Sequence, residues 1–84
     1  MKEYIRLNEL EPNERARVVS VGGAPALKQR FEDLGIVPRT EMICVMKSPL
    51  GDPVAYLVRG TLIAIRRSDA ANIEAERTEA RYGS

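Results

Sequence analysis

A short amphipathic segment that ends abruptly constrains this sequence more than any other feature. Leu27, Phe31 and Leu34 recur at spacings i, i+4 and i+7, which places them on one face of a helix. Charged and polar residues fill the positions between them. Gly35 follows at once, and glycine readily takes the left-handed conformation that ends helices. The pattern therefore predicts one helix over residues 25–34, with its apolar stripe buried.

The residues on either side of this segment support the same boundaries. Pro25 suits the first position of a helix, because the N–H that proline lacks would be unpaired there anyway. Ile36 is placed to fold back on the last helical turn, and Pro38 prevents the helix from resuming. We expect the chain to reverse sharply here and to enter a strand.

Short segments with the composition or alternation of strands make up most of the remaining chain. They are residues 17–21, 40–47, 54–59, 62–66 and 73–76. Residues 40–47 are apolar on both faces, so we expect that strand to be covered on both sides. Gly60-Thr61 predicts a tight hairpin, and Ser68 is predicted to cap a helical turn over residues 69–71.

These elements predict a mainly β fold, a small SH3-like antiparallel β-barrel of five or six strands with one short helix. Closing the sheet would leave no exposed edges. A chain of 84 residues is one domain, which we place at residues 1–76, with a polar, mobile or weakly helical tail at 77–84. The side chains predicted to be buried are Leu27, Phe31, Leu34, Ile43, Val45, Ile63, Ile65 and Ile73.

The chemistry of the side chains argues against an enzyme. Histidine is absent, so Ser20, Ser48, Ser68 and Cys44 have no imidazole to act as a general base. Cys44 lies between Ile43 and Val45, where a thiol packs as a small hydrophobe more readily than it binds a metal. The carboxylates lack convergent spacing. We therefore predict no catalytic residue, no metal site and no cofactor.

Charge and hydropathy narrow the remaining classes of function. The 13 basic and 12 acidic residues give a net charge of +1, whereas nucleic-acid-binding domains are normally far more basic. The pairs Arg66-Arg67 and Lys28 with Arg30 fit an ordinary solvated surface, and we predict no nucleic-acid partner. The N-terminal residues lack the apolar core of a signal peptide, and no window has the composition of a membrane span. These features, with a single cysteine, favour a cytoplasmic protein.

Three runs, RFEDLGIVPRTEM, SPLGDPVAYLVRG and LIAIRRSDAANI, together resemble the ferrous iron transport protein A (FeoA) family. No one run is specific, but their order and spacing are, and the resemblance extends over residues 5–76. Phe31 stands where the family usually has leucine. Arg39 and Asn13 stand where turn glycines are usual, and a positive φ at Arg39 would cost about 1 kcal/mol.

This resemblance implies a small cytoplasmic accessory protein that regulates the GTPase-bearing region of a FeoB-type ferrous iron permease. Such a protein would meet the membrane only through its partner. The same fold also occurs at the end of metal-dependent repressors, so a weak transition-metal-binding or metal-responsive module remains an alternative. A small nucleic-acid-binding barrel is a further, less favoured one. The sequence leaves open the oligomeric state and whether the partner is activated or inhibited.

A partner would contact surface that the packing of the barrel leaves free. The loop at residues 48–53 (SPLGDP) has turn-forming residues throughout and an apolar residue, Leu50, at its tip. The residues predicted to bind the partner are Lys28, Arg30, Arg39, Leu50, Gly51 and Asp52.

Overall fold

The computed structural model describes residues 2–78, which form one six-stranded antiparallel sheet with short helices. The strands are β1 (Glu3–Arg6), β2 (Arg15–Val21), β3 (Glu41–Lys47), β4 (Val54–Val58), β5 (Thr61–Ile65) and β6 (Ile73–Thr78). The helices are α1 (Pro25–Asp33), α2 (Arg67–Ala70) and a 3₁₀ helix (Leu7–Glu9). The prediction of a mainly β fold with one short helix near residues 25–34 is confirmed.

The sheet has the strand order β1-β6-β2-β3-β4-β5 and curls around a single core. The buried side chains are Ile5, Leu7, Leu10, Ala16, Val18, Phe31, Ile36, Met42, Cys44, Val54, Tyr56, Val58, Ile65, Ala70, Ile73 and Ala75. The Tyr56 hydroxyl donates a hydrogen bond of 3.3 Å to the carbonyl of Leu7, which joins β4 to the 3₁₀ helix through the interior. Of the predicted core, Phe31, Ile65 and Ile73 are buried, and Leu27 and Ile63 pack partly buried against it.

Helix α1 ends as the sequence predicts. The N–H of Ile36 donates to the carbonyl of Phe31 at 2.8 Å, and the N–H of Gly35 donates to that of Glu32 at 2.9 Å. With Gly35 at φ 85°, this is a Schellman closure, in which an apolar residue beyond the helix packs back on its last turn. Ile36 takes that core position, so the prediction that Leu34 is buried is wrong: its side chain is 44% exposed.

A β-bulge in β3 changes which side chains face the core. Cys44 pairs with Tyr56, but the next pair is Met46 with Ala55, so Val45 has no partner of its own in β4. An extra residue of this kind interrupts the inside–outside alternation. Val45 and Met46 are both exposed, which contradicts the predicted burial of Val45 and the expectation that this strand is covered on both faces.

The hairpin between β4 and β5 turns one residue earlier than predicted. Val58 pairs with Thr61, so the turn residues are Arg59 and Gly60 and not Gly60-Thr61. Both have positive φ, 51° and 83°, as a two-residue hairpin turn of type I′ requires. Register then places Ile43 opposite Leu57 on the outer face, half-buried, and not in the core where it was predicted.

Two predictions near the C-terminal end of the domain also need correction. Helix α2 begins at Arg67, after an N-cap residue that makes no side-chain capping bond, so Ser68 lies inside the helix and does not cap it. Strand β6 continues through Arg77 and Thr78, which were assigned to the tail. Residues 79–84, the rest of the predicted tail, lie outside the described residues.

The sheet does not close on itself through hydrogen bonds within residues 2–78. Strand β1 pairs only with β6, and β5 pairs only with β4, so these two strands are edges. The expectation that closure leaves no exposed edge is therefore wrong for the described part of the chain.

The burial of Phe31 predicts a large effect of its truncation. Replacing Phe31, which is 1% exposed, by alanine should lower the free energy of unfolding by about 3 to 5 kcal/mol, because it opens a cavity in the hydrophobic core. Leu34→Ala, on the same helix but exposed, should cost less than about 1 kcal/mol. Urea denaturation followed by circular dichroism measures both, and equal losses would contradict the described orientation of α1.

Candidate functional site

The reversal after α1 is held by one buried hydroxyl. Thr40 is 5% exposed, and its Oγ1 accepts a hydrogen bond from the N–H of Val37 at 3.1 Å while donating to the carbonyl of Gly35 at 3.0 Å. The adjacent Arg39 N–H donates to the carbonyl of Val18 at 2.8 Å. The backbone of Arg39 is thereby fixed at φ 81° while its side chain is exposed. Arg39 thus has the positive φ whose cost the sequence analysis gives as about 1 kcal/mol.

A second arginine with left-handed backbone lies nearby. Arg59 occupies the first turn position of the β4–β5 hairpin, and its side chain passes over the end of α1. A β-carbon at Gly35 would lie 3.6 Å from Cδ and from Nε of Arg59. Cations are favoured at this end of a helix, where backbone carbonyls are left without intrahelical donors.

Arg39 and Arg59 line one open groove, of about 370 Å³, which we call the basic groove. It is lined by Arg39, Thr40, Glu41, Ile43, Leu57, Arg59 and Gly60. Neither arginine forms an ion pair with a carboxylate among residues 2–78. The groove thus offers two guanidinium groups without a described carboxylate partner, beside apolar side chains and the Glu41 carboxylate, and such guanidinium groups can bind a further carboxylate.

The outer surface of β3, β4 and β5 is apolar beyond the groove. Cross-strand register places Leu57 between Ile43 and Leu62, and Ala55 between Met46 and Ala64. Side chains of directly paired residues lie on the same face of a sheet. We call this two-by-three array the outer apolar face; its residues are Ile43, Leu57, Leu62, Met46, Ala55 and Ala64.

The loop at residues 48–53 presents Leu50, which is 94% exposed. The Gly51 N–H donates to the carbonyl of Ser48 at 2.7 Å, and the Ser48 N–H donates to that of Pro53 at 3.1 Å, so the backbone of the loop is ordered by its own bonds. Asp52 accepts a hydrogen bond of 2.9 Å from the N–H of Arg67, the first residue of α2. Asp52 therefore has a structural role in holding the loop.

The structure distributes the predicted partner-binding residues over three places. Leu50, Gly51 and Asp52 lie in the loop, Arg39 lines the basic groove, and Lys28 and Arg30 lie on α1. Lys28 lines a separate depression of about 280 Å³ between α1 and β2. The Arg30 guanidinium nitrogen lies 4.0 Å from a carboxylate oxygen of Asp69. No measurement tests these residues as contacts, so the assignment stays a prediction.

Sequence reasoning missed Arg59 and the outer apolar face. The alternation in residues 62–66 already separates Leu62 and Ala64 from the inward Ile63 and Ile65. The missing information was the position of the turn, which places Leu57 opposite Leu62. In Arg59-Gly60 only the glycine is a residue that favours a type I′ turn, so the sequence indicates the position of this turn only weakly.

The single thiol belongs to the core. Cys44 is fully buried, as predicted from its neighbours, and burial raises the pKa of its thiol above the ordinary 9.0. Burial also raises the pKa of the Tyr56 phenol well above 10.0. Over residues 2–78, no three His, Cys, Asp or Glu side chains are grouped as metal ligands would be. Within the same residues, every helix is too short and too polar to span a membrane.

The buried Cys44 thiol and Tyr56 phenol predict a loss of stability at alkaline pH. Each group has a higher pKa in the folded protein than in the unfolded chain, where the values are 9.0 for the thiol and 10.0 for the phenol. The stability that each protonated group contributes is therefore fully present below its unfolded pKa and is lost as the pH rises towards its folded pKa. The free energy of unfolding should therefore start to fall as the pH passes 9.0 and should fall more steeply above 10.0. Tyr56→Phe removes one titrating group, so its stability should fall less steeply over this range; an unchanged slope would contradict the assignment to Tyr56.

The left-handed Arg39 predicts a stabilising substitution. Arg39→Gly should raise the free energy of unfolding by about 1 kcal/mol, because glycine adopts φ 81° without strain from a β-carbon. Arg17→Gly, an exposed position in the extended strand β2, should lower it instead. Denaturation midpoints compare the two, and an Arg39→Gly variant less stable than the wild type would show that the side chain itself stabilises the turn.

A curled antiparallel sheet with short helices and an open, partly basic outer surface defines a small SH3-like barrel. Comparison with known proteins specifies the family. The model of the FeoA domain matches residues 5–77, so the chain belongs to the FeoA family. The family assigned from the three sequence runs is thereby confirmed.

Particular relatives agree with this assignment. The chain is 36% identical over 72 residues to an Fe(2+) transport protein A/Fe(2+) transporter FeoB fusion protein of Porphyromonas gingivalis, a match that covers 86% of the chain and 8% of that protein. The NMR structure of a FeoA-like protein from Clostridium acetobutylicum superposes with a TM-score of 0.86 at 31% identity, covering 100% of this chain and 98% of that one. Stenotrophomonas maltophilia FeoA, solved with zinc and described as a procaryotic SH3 domain protein, gives a TM-score of 0.74 at 32% identity, covering 84% and 88%.

Proposed function

We propose that this protein is a cytoplasmic accessory protein of ferrous iron uptake, which binds the cytoplasmic GTPase region of a FeoB-type transporter. The observation that carries the proposal is the fusion protein of Porphyromonas gingivalis, in which a segment similar to this chain is joined to a FeoB transporter. This chain spans 8% of the length of that protein, and the similarity does not extend to its transporter portion.

The fusion bears on how strong the interface between the two modules has to be. A covalent linker raises the effective concentration of one module beside the other, so a tethered pair needs only a weak interface. Without a linker, the affinity would come from surface contacts alone. The exposed Leu50, the unpaired arginines of the basic groove and the outer apolar face are such surface.

The side chains support binding rather than catalysis. The sequence has no histidine, the only thiol is fully buried with a raised pKa, and the basic groove and the depression beside Lys28 are open to solvent. Any nucleotide hydrolysis would therefore occur in the partner, and this chain would act by occupying or positioning part of it.

A metal-carrying role has less support. The similar Stenotrophomonas maltophilia protein was solved with zinc, which is a property of that protein. Here the Cys44 sulfur, the soft ligand that such a metal would prefer, is fully enclosed by the core, and burial disfavours its thiolate form. We therefore keep the transporter as the partner.

Binding of the purified protein to the soluble cytoplasmic region of the FeoB transporter from the same organism tests the proposal. Isothermal titration calorimetry should detect a complex, and Leu50→Asp and Arg39→Glu should each weaken it about tenfold if they lie in the interface. Tyr4→Asp and Arg6→Glu, which alter an exposed aromatic and an exposed arginine on β1, are matched controls that should bind like the wild type.

The outcomes separate the partner from the placement of the surface. A folded wild-type protein that does not bind this region shows that the partner is wrong. If the wild type binds and both loop and groove variants bind equally well, the partner is right and only the predicted contact residues are wrong.

A further inference from the structure

The two edge strands of the sheet, β1 and β5, differ in how well their side chains prevent pairing with another chain. Strand β1 carries Glu3 and Arg6, and Glu3 forms an ion pair with Arg77 at 3.0 Å. Charged residues on an edge strand discourage pairing with another chain. Strand β5 reads Thr-Leu-Ile-Ala-Ile, without a charge, a proline or a bulge. Only β5 therefore has the character of an edge that accepts another strand.

The backbone of β5 has no partner on its outer side. Within residues 2–78, its hydrogen bonds run to β4, and no turn, loop or cap donates to it or accepts from it. Alternate residues of an antiparallel edge strand point their N–H and C=O groups away from the neighbouring strand. These groups are a row of donors and acceptors that an extended segment would satisfy.

The side chains around this edge specify what such a segment contains. Leu62 is 58% exposed and continues the outer apolar face to the very edge of the sheet, which favours apolar side chains at alternate positions of an added strand. Arg59 lies two residues before β5, in the hairpin turn, and Arg66 lies directly after the strand; both are exposed, and neither forms an ion pair with a described carboxylate. Because opposite charges attract, these basic residues favour a segment with acidic residues at both of its ends.

The same charges disfavour a second copy of this chain as the occupant. Antiparallel pairing of two β5 strands about Ile63 would place Gly60 of one copy opposite Arg66 of the other, which brings Arg59 close to Arg66. Parallel pairing would place Arg59 beside Arg59. Like charges directly opposite each other destabilise a strand pair, so the charge pattern that attracts an acidic segment repels a copy of the chain itself.

We propose that β5 binds an extended, acid-flanked apolar segment of a partner protein by adding it to the sheet as a seventh strand. The inference rests on the proposed function in one respect: the segment would belong to the transporter's cytoplasmic region. The added strand gains its affinity from main-chain hydrogen bonds and its selectivity from Arg59, Arg66 and the outer apolar face.

Titration of the full chain with a synthetic peptide tests this proposal without any transporter. The probe is the capped nine-residue peptide EEVTVTVEE, followed by the amide signals of the isotopically labelled protein in NMR. We expect the largest shifts in β5 and at Arg59 and Arg66. The counterpart KKVTVTVKK should bind about tenfold more weakly, since the charge pairs at both ends become repulsive.

Matched variants locate the binding surface. Leu62→Lys should abolish binding by placing a charge on the edge, whereas Tyr4→Lys, at a similarly exposed position (54%) on β1, should not. Arg66→Glu should abolish the preference between the two peptides, because each peptide then has one attractive and one repulsive end, and Arg6→Glu should leave the preference unchanged. The NMR spectra show directly whether each variant is folded.

Three results would overturn the inference. They are shifts centred outside β5, equal binding of the two peptides, and dimerisation of the protein through β5 at the concentrations used. Any of them leaves the transporter test unaffected. Conversely, peptide binding at β5 together with no binding to the transporter region would keep this edge as a binding site and reject the proposed partner.

Discussion

The chain reversal after α1 is the constraint on which the rest of the structure depends. Its Schellman closure brings Ile36 back on Phe31, both fully buried, so that a nine-residue helix contributes two large side chains to the core. Thr40 then fixes the turn through two hydrogen bonds and starts β3 in register with β2. The same few residues that close the core thus hold Arg39 on the surface in a strained conformation, which is a common arrangement where a surface has a function.

How far the sequence predicts this fold depends on whether a feature has a local chemical cause. The end of α1 was predictable because Gly35, Ile36 and Pro38 each have a specific conformational effect. The bulge at Val45 was not, because an extra residue in one strand is decided by pairing with β4, which is distant in sequence. The β4–β5 turn was misplaced by one residue, since Arg59 is an uncommon choice for positive φ. Faces of strands follow register, so the outer apolar face could not be recognised before the register was known.

Net charge hides how unevenly the charges are placed. Lys47 donates a 2.9 Å hydrogen bond to Glu11, which lowers the pKa of that carboxyl, and Arg77 contacts both Glu3 and Glu14. These pairs neutralise the surface on the side of β1 and β6 and in the loop before β2. The arginines around the basic groove and β5 have no such partners among the described residues. A net charge of +1 is therefore compatible with a distinctly basic patch, a distinction that composition alone does not reveal.

An uncharged edge strand beside an exposed apolar surface carries a risk of aggregation, and proteins usually protect such edges. In this chain β1 has that protection and β5 lacks it, although one lysine at Leu62 or Ala64 would supply it at little cost to the core, because both side chains point outward. The arginines at the two ends of β5 reduce the risk in another way, since they repel a second copy while leaving the strand open to an acidic segment. Protection by flanking charge, instead of by a charge within the strand, keeps the backbone of the edge available. This is the physical reason to regard β5 as a binding element and the basic groove beside it as part of the same surface.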